Sequence, residues 1–361
     1  MRRVHMALAD YDVIVAGGGP AGSTVSALLA REGRRVLLLE KDAHPRFHIG
    51  ESLLPCNLPI LEELGVMSEL RAIGTVKLGA DFSLQNDREH RTYYFARSLN
   101  RTPPHAYEIT RSEFDEMLFR NAARLGAETR EHVRVRDVEP GATGCLVRAT
   151  DQDGKELTLR GRYFVDASGR DTLLGKKLGL KRKNMTHGSA AIFGHFGGVV
   201  RREGRDQGNI SIYWFDHGWI WMIPLKGDVM SVGAVCWPED LKTRTGSTRG
   251  FLMQTLGRVR APERRRAPER GAGHRELFVH QRPHDRARLD DGRRRLRLHR
   301  PRVLERRLPR DEQREARGPR DRSDPGSARA RGGAAGAVRG ARAQGDRRLL
   351  LVHLPLHHAC D

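Results

Sequence analysis

The stretch "YDVIVAGGGPAGSTVSALLAREGRRVLLLEK", residues 11–41, contains the strongest structural signal of the amino-terminal half. An apolar run predicts a strand, consecutive glycines predict a tight turn, a helical pattern follows, and "VLLLE" predicts a second strand. Gly17, Gly19 and Gly22 have the spacing G-x-G-x-x-G. The first glycine permits the turn, the second lets the backbone approach a pyrophosphate, and the third lets the helix pack on the sheet. The stretch therefore predicts a Rossmann-like α/β domain that binds a dinucleotide.

The residues around these glycines support the same interpretation. The predicted helix begins at the turn, so its N-terminal N–H groups face the expected phosphates. Glu40 ends the second strand 23 residues after Gly17, where a carboxylate can accept hydrogen bonds from a ribose. The other turn residues expected beside the dinucleotide are Pro20, Ala21 and Ser23. The alternative is a glycine-rich turn in some other α/β fold.

Two further stretches favour FAD over NAD. "GRYFVDASGRDT", residues 161–172, is an apolar strand that ends at Asp166 and is followed by a small-residue turn containing Gly169. It resembles the D-A-S-G motif shared by FAD-dependent hydroxylases, halogenases and prenyl reductases. "YEITRSEFDEML", residues 107–118, resembles the helix beside the flavin in those enzymes, which would place Arg111 near the cofactor. The alternative for Arg111 is an ordinary surface arginine.

The sequence contains no second G-x-G-x-x-G, so we expect no separate nicotinamide domain.

The stretch "RFHIGESLLP", residues 46–55, resembles the amino-terminal region of the flavin-dependent halogenases, the tryptophan-halogenase-like group. In that family a Gly-Glu-Ser turn lies beside the flavin. The resemblance therefore places Gly50, Glu51 and Ser52 at the cofactor, and we expect Arg46 there as well.

The stretch "VKLGADF", residues 76–82, resembles the K-x-G-A-x-F segment of the same family. The resemblance makes Lys77 the match for the family's essential lysine, which holds a halogen oxidant by hydrogen bonding or as a haloamine. Partial burial would assist by lowering the pKa of that amine. The alternative is a solvated surface lysine.

The stretch "GWIWMIPL", residues 218–225, fills the family's W-x-W-x-I-P motif, which is thought to keep substrate away from the flavin. The positions that match the motif are Trp219, Trp221, Ile223 and Pro224. Residues at a spacing of two lie on the same face of a strand, so the alternative is a hydrophobic core pair. His195 and His187 are expected to be structural or solvated, and no spacing indicates a metal site.

The resemblance implies a flavin-dependent halogenase. Its reaction consumes reduced FAD, oxygen and a halide, either chloride or bromide, and halogenates an electron-rich aromatic or a carrier-protein-bound substrate. A separate flavin reductase would supply the reduced FAD, and the flavin itself would carry the redox chemistry. The alternative enzyme on this scaffold is a FAD-dependent monooxygenase or a geranylgeranyl-reductase-type oxidoreductase.

We predict three regions. Residues 1–180 form a FAD-binding domain with an inserted halogenase-like segment at 46–110. Short β-type stretches predict an antiparallel substrate-side sheet over 181–256. Residues 257–361 are arginine-rich and are expected to be disordered or non-native.

Four cysteines without C-x-x-C spacing and no apolar run of membrane-spanning length predict a cytoplasmic protein with no membrane partner.

The composition changes abruptly near residue 257. Residues 257–361 contain 29 arginines and 14 acidic residues, a net charge of +15, whereas residues 1–256 carry only +5 of the chain's +20. The same tail has no Lys, Ile, Met, Asn, Thr, Tyr or Trp. This bias towards residues with G- and C-rich codons is typical of a GC-rich gene translated out of frame.

The reading frame can be tested on the sequence itself. With synonymous codons read one base later, "RARLDDGRRRLRLHRPRVLERRLPR", residues 286–310, can spell "GPGWMMVGDAYAFIDPVFSSGVYLA", which resembles the family's later flavin motif. We therefore interpret the tail as frameshifted. The alternative, a nucleic-acid-binding arm, fits less well because acids are interspersed and aromatic residues for base stacking are nearly absent. We expect no nucleic-acid partner.

Overall fold

The structure, a computed structural model, describes residues 9–83, 90–99, 103–182, 184, 188–258 and 349–351. Nearly all of the arginine-rich tail lies outside these residues. The frameshift interpretation, the expected disorder of the tail and the nucleic-acid alternative therefore concern residues outside the described part of the chain, as does the expectation for His187.

The described residues form fifteen strands and seven α-helices. The strands are β1 Tyr11–Ala16, β2 Val36–Leu39, β3 Thr75–Lys77, β4 Gly79–Ser83, β5 His90–Tyr94, β6 Ala106–Glu108, β7 Glu128–Arg130, β8 Arg134–Gly141, β9 Gly144–Thr150, β10 Glu156–Asp166, β11 Ala190–Gly197, β12 Ile210–Phe215, β13 Gly218–Pro224, β14 Val229–Cys236 and β15 Leu349–Leu351. The α-helices are α1 Pro20–Arg31, α2 Leu58–Glu63, α3 Met67–Ile73, α4 Arg111–Arg124, α5 Leu173–Lys177, α6 Pro238–Lys242 and α7 Thr248–Leu256.

The first sheet contains the predicted dinucleotide-binding unit. Its strand order is β7-β2-β1-β10-β9-β8, and β15 pairs in parallel with β10. β1 pairs in parallel with β2 and β10, while β9 is antiparallel to β8 and β10. Val13 and Val15 pack on the side of α1 and α4, whereas Ile14 and Ala16 face the opposite cluster. Burial on both faces explains why β1 and β2 are continuous apolar runs.

The second sheet has the order β11-β14-β13-β12-β4-β5. Four of these strands come from the predicted range 181–256, and they pair antiparallel. The other two, β4 and β5, come from the inserted segment, and β4 pairs in parallel with β12. The sheet is therefore mixed and extends beyond the predicted range. Without β4, the backbone of β12 would form an open sheet edge, and pairing satisfies those groups.

A two-stranded ladder lies within the inserted segment. β3 pairs antiparallel with β6, and Lys77 lies opposite Ala106. On its other side β6 is bridged by Ser52, with hydrogen bonds from the Leu53 N–H to the Tyr107 carbonyl and from the Ile109 N–H to the Glu51 carbonyl. The Gly-Glu-Ser turn is thereby held beside Lys77. No helix among the described residues is both long and apolar enough to cross a membrane.

Candidate active site

The glycine turn lies at the carboxyl edge of β1, where α1 begins. Gly17 has a φ of 108°, and a Cβ there would overlap the Ala167 carbonyl. A Cβ on Gly22 would overlap the Gly17 carbonyl oxygen. The space beside Gly19 is open, because a Cβ there would meet only the Arg46 guanidinium, at 3.6 Å. Pro20, Ala21 and Ser23 lie in the first turn of α1, which has no side-chain cap, so its N-terminus suits an anion.

Glu40 follows β2 and lies directly beside the glycine turn. Its Oε2 accepts hydrogen bonds from the Gly18 N–H at 2.7 Å and from Arg46 Nη2 at 3.0 Å. Its Oε1 accepts one from the Asp42 N–H at 3.0 Å. The carboxylate thus lies beside the glycine turn and fixes the loop around it, and its contact with a ribose stays a prediction.

Arg111 is buried in an ion-pair network, so the surface alternative does not describe it. Its guanidinium donates to both oxygens of Asp115, at 2.7 and 3.0 Å, and to the Ile49 carbonyl at 2.5 Å. Asp115 also pairs with Arg46 at 3.2 Å. Gly50, with a φ of 108°, lies against Arg111: a Cβ there would be 3.0 Å from its Nη1. The sequence did not single out Asp115, although its i, i+4 spacing from Arg111 is a recognisable signal.

The D-A-S-G turn follows β10 and contacts the glycine turn through Ala167. The Asp166 carboxylate accepts hydrogen bonds from the Ser168 N–H at 3.0 Å and from the Leu174 N–H at 2.7 Å. Asp166 therefore shapes the turn and the start of α5. Gly169, with a φ of 58°, has open space beside it.

Lys77 is almost completely buried, with 1% of its surface exposed, so it is not a solvated surface lysine. Its Nζ donates a hydrogen bond to Ser52 Oγ at 2.5 Å and lies 3.5 Å from Glu108 Oε1. The ring of Phe95 lies 5.7 Å from the same Nζ. Burial lowers the pKa of Lys77, and the charge of Glu108 opposes that shift.

Glu108 is the partner of Lys77 that sequence reasoning missed. It ends β6 and has no exposed surface. Burial raises the pKa of Glu108 to about 7, although Lys77 and Ser52 act in the opposite direction. A glutamate three residues before a helix carries no local signal of a lysine 31 positions earlier. Only the pairing of β3 with β6 brings the two together.

The tryptophan motif forms one apolar face of β13. Trp221 and Ile223 are buried on this face, Trp219 is partly buried, and the cluster packs against Ile49. The ring centroids of Trp219 and Trp221 are 6.0 Å apart. Pro224 is the last residue of the strand. The motif is therefore both a core pair and a face directed at the segment that carries the Gly-Glu-Ser turn.

Gly233 allows Trp221 to lie across the neighbouring strand. The two residues are opposite each other on β13 and β14, and a Cβ on Gly233 would overlap the indole ring. The Trp221 Nε1–H donates to Ser231 Oγ at 3.2 Å. Phe193, on β11, lies 6.0 Å from the Trp221 ring. Sequence reasoning did not single out Gly233, because a glycine inside a strand does not indicate its cross-strand neighbour.

His195 links the second sheet to the Gly-Glu-Ser turn. Its Nε2 lies 2.7 Å from Glu51 Oε1, and the Glu51 side chain is fully buried. The expectation that His195 is structural fits this contact, but its partner was not foreseen. No group of three or more His, Cys, Asp or Glu side chains in the described ranges could hold a metal ion.

A family model described as a FAD binding domain matches residues 10–249, which is most of the described chain. The chain belongs to this FAD-binding family. The site fits the cofactor, because the turn around Gly17 and Gly22 leaves no room for side chains while the helix N-terminus beside Gly19 stays open. The prediction of FAD is confirmed at the level of the family.

The curated relatives include flavin-dependent halogenases. The chain is 39% identical to the flavin-dependent halogenase gsfI of Penicillium aethiopicum over 62% of this chain and 46% of the relative. It is 30% identical to the 1H-pyrrole-2-carbonyl-[peptidyl-carrier protein] chlorinase of Pseudomonas fluorescens over 63% of this chain and 56% of the relative. The chain thus spans about half the length of these relatives.

The solved structures give the same result. The myxobacterial chondrochloren halogenase CndH is similar with a TM-score of 0.61 and 36% identity, over 69% of this chain and 57% of that one. A flavoprotein/dehydrogenase from Cytophaga hutchinsonii is similar with a TM-score of 0.63 and 29% identity, over 68% and 60%. The predicted fold class and the resemblance to flavin-dependent halogenases are confirmed.

Proposed function

We propose that this chain is a flavin-dependent halogenase, which uses reduced FAD, oxygen and a halide to halogenate an electron-rich substrate. The observation that carries the proposal is the position of segment 46–52. Arg46 contacts Glu40 beside the glycine turn, Ile49 packs on the tryptophan face, and Ser52 holds Lys77. One segment therefore joins the cofactor cradle, the buried amine and the aromatic face.

Each part has a distinct task. Bound FAD would supply the redox chemistry that converts halide to hypohalous acid. Lys77 would hold that oxidant, by hydrogen bonding or as a haloamine, because its burial favours the neutral amine. The bulky face of Trp219 and Trp221 would keep substrate away from the flavin, so that it meets the oxidant at Lys77 instead.

The partners follow from the same proposal. A separate flavin reductase would supply reduced FAD, since the sequence has no second dinucleotide motif. The substrate would be a small electron-rich aromatic or one tethered to a carrier protein. The latter is supported by the similarity to a chlorinase whose name specifies a carrier-bound pyrrole.

The proposal is tested by halide dependence. Two proteins would be tested: the chain as printed, and the same chain with its tail translated in the shifted frame. Each would be supplied with FAD, a flavin reductase, NADH, oxygen and phloroglucinol as the probe substrate. We expect halogenated product, identified by its isotope pattern in mass spectrometry, only when chloride or bromide is present. Hydroxylated product without halide would instead support a FAD-dependent monooxygenase, and reduction of an alkene probe would support a reductase.

The role of Lys77 is tested in the same assay. Lys77→Ala should abolish halogenation while FAD binding is retained, because Lys77 contacts Ser52 and Glu108 and none of the glycine-turn residues. Lys155→Ala, on an exposed turn, is the matched control and should behave as wild type. Undiminished halogenation by Lys77→Ala would remove Lys77 from the mechanism.

A further inference from the structure

Lys77 has a single acidic neighbour within ion-pair distance among the described residues, and that neighbour is as inaccessible as Lys77 itself. Glu108 Oε1 lies 3.5 Å from Lys77 Nζ, and neither side chain is open to solvent. Burying two such groups is unfavourable unless they compensate each other. A hydrophobic pair would fill the same space without that cost, so the retained charges point to a task in proton transfer.

We propose that Glu108 is a positioning residue that exchanges a proton with Lys77 and so sets the fraction of neutral amine. The inference rests on the proposed function and deepens it. In the pair, the ammonium proton passes from Lys77 Nζ to a Glu108 carboxylate oxygen. This leaves a neutral amine and a neutral acid, and no charge has to enter solvent.

The exchange supplies the form of Lys77 that halogen transfer needs. The neutral amine attacks the halogen of hypohalous acid, the N–halogen bond forms and the O–halogen bond breaks. The departing hydroxide takes an N–H proton and leaves as water. When the halogen passes to an aromatic carbon, the displaced ring proton returns to nitrogen. Where Lys77 instead only hydrogen-bonds the oxidant, the same exchange decides whether its nitrogen donates or accepts.

Other elements packed around the pair contribute few charges. Ser52, from the Gly-Glu-Ser turn, contacts Lys77 with a neutral hydroxyl, and Phe95 presents a ring. Glu51 acts on Glu108 by charge repulsion and is itself paired with His195. Burial has the largest effect on the pKa of Lys77, and Glu108 is the charged group that opposes it. The Glu108 pKa of about 7 matches a proton acceptor at neutral pH.

The experiment measures the protonation of Lys77 directly, in the full chain without FAD or halide. Lysine side chains are labelled with 13C, and the Lys77 Cε resonance, assigned with Lys77→Arg, is followed by NMR over a pH series. In wild type, the midpoint for Lys77 should lie below that of exposed Lys155. Glu108→Gln should lower the Lys77 midpoint further, by at least about one pH unit, because the carboxylate no longer stabilises the ammonium.

Two variants separate this role from packing. Glu108→Asp retains the carboxylate charge, so its Lys77 midpoint should lie closer to that of wild type than the midpoint of Glu108→Gln does. Glu113→Gln, on the exposed face of α4, should leave it unchanged. An unchanged midpoint in Glu108→Gln, or a wild-type midpoint equal to that of Lys155, overturns the inference even if halogenation requires Lys77. A shifted midpoint without any halide-dependent product would overturn the proposed function and leave Glu108 as the residue that sets the protonation of Lys77.

Discussion

At the scale of single residues, the site depends on glycines at positions where a side chain would collide with a neighbouring backbone or ring. A side chain at Gly17 or Gly22 would overlap backbone within the cradle, whereas at Gly233 it would overlap the Trp221 ring. The first two support the cofactor turn, and the third supports the aromatic face. The same residue type therefore allows close backbone packing in one place and side-chain packing in another.

Gly233→Ala should destabilise the second sheet. The new methyl group would displace the Trp221 ring from β14, and overpacking of this kind costs about 1–3 kcal/mol of the free energy of unfolding. The measurement is urea denaturation followed by tryptophan fluorescence. Gly197→Ala is the matched control, since a Cβ there would make an ordinary contact at 3.7 Å with the Asp228 carbonyl. Equal losses in the two variants would contradict the packing of Trp221 described above.

Glu108 should make stability depend on pH. Its folded pKa of about 7 lies above the ordinary value of 4.5, so the folded chain binds this proton more tightly than the unfolded chain. The resulting stabilisation is complete below about pH 4.5 and is lost as pH rises through about 7. Between about pH 5 and about pH 8, the melting temperature of wild type should therefore fall relative to that of Glu108→Gln. A constant difference between the two proteins across this range would show that the Glu108 pKa is not raised.

At the scale of elements, segment 46–52 and β6 form the connection between the two sheets. β6 pairs with β3 on one side and with the Gly-Glu-Ser turn on the other. The Gly-Glu-Ser turn also contacts β11, through the pair of Glu51 and His195. Three residues that are far apart in the chain, Ser52, Lys77 and Glu108, therefore depend on one ladder for their geometry.

His195→Ala should weaken this connection. The substitution leaves the buried Glu51 carboxylate without its 2.7 Å partner, and loss of a hydrogen bond to a charged group costs about 1.5–3 kcal/mol. Chemical denaturation would measure the loss. His217→Ala, at an exposed position between β12 and β13, is the control and should change stability little. If both variants are equally stable, the Glu51 contact does not contribute to the fold.

At the scale of the whole molecule, the amino-terminal 258 residues provide the glycine cradle, the buried amine and the aromatic face. The chain spans about half the length of its curated relatives, and its last hundred residues differ in composition from the rest. The proposed frameshift near residue 257 accounts for the change in composition. It also explains the charge of +20 without invoking an anionic partner.

Restoring the frame should restore FAD retention. The printed chain is expected to bind FAD weakly, because the frameshift interpretation assigns the later flavin motif to the shifted frame. After removal of free flavin by desalting, the frame-restored chain should keep its flavin absorbance and the printed chain should lose it. Sequencing the gene around codon 257 is the independent check. Equal FAD retention by both proteins, or a gene sequence with no shift, would contradict the frameshift interpretation.

The dinucleotide-binding unit could be predicted from the sequence, because its signals are local. Glycine spacing, the apolar runs of β1 and β2 and the acid at Glu40 all lie within one βαβ unit, and the alternation in β13 placed Trp219 and Trp221 on one face. Other features are visible only in the folded chain. There β4 and β5 extend the second sheet, Arg111 is buried against Asp115, and Glu51 contacts His195. The contact between Lys77 and Glu108 is also visible only there. These contacts join residues from separate strands and loops, and sequence periodicity carries no information about which distant backbone will become the neighbour of a given strand.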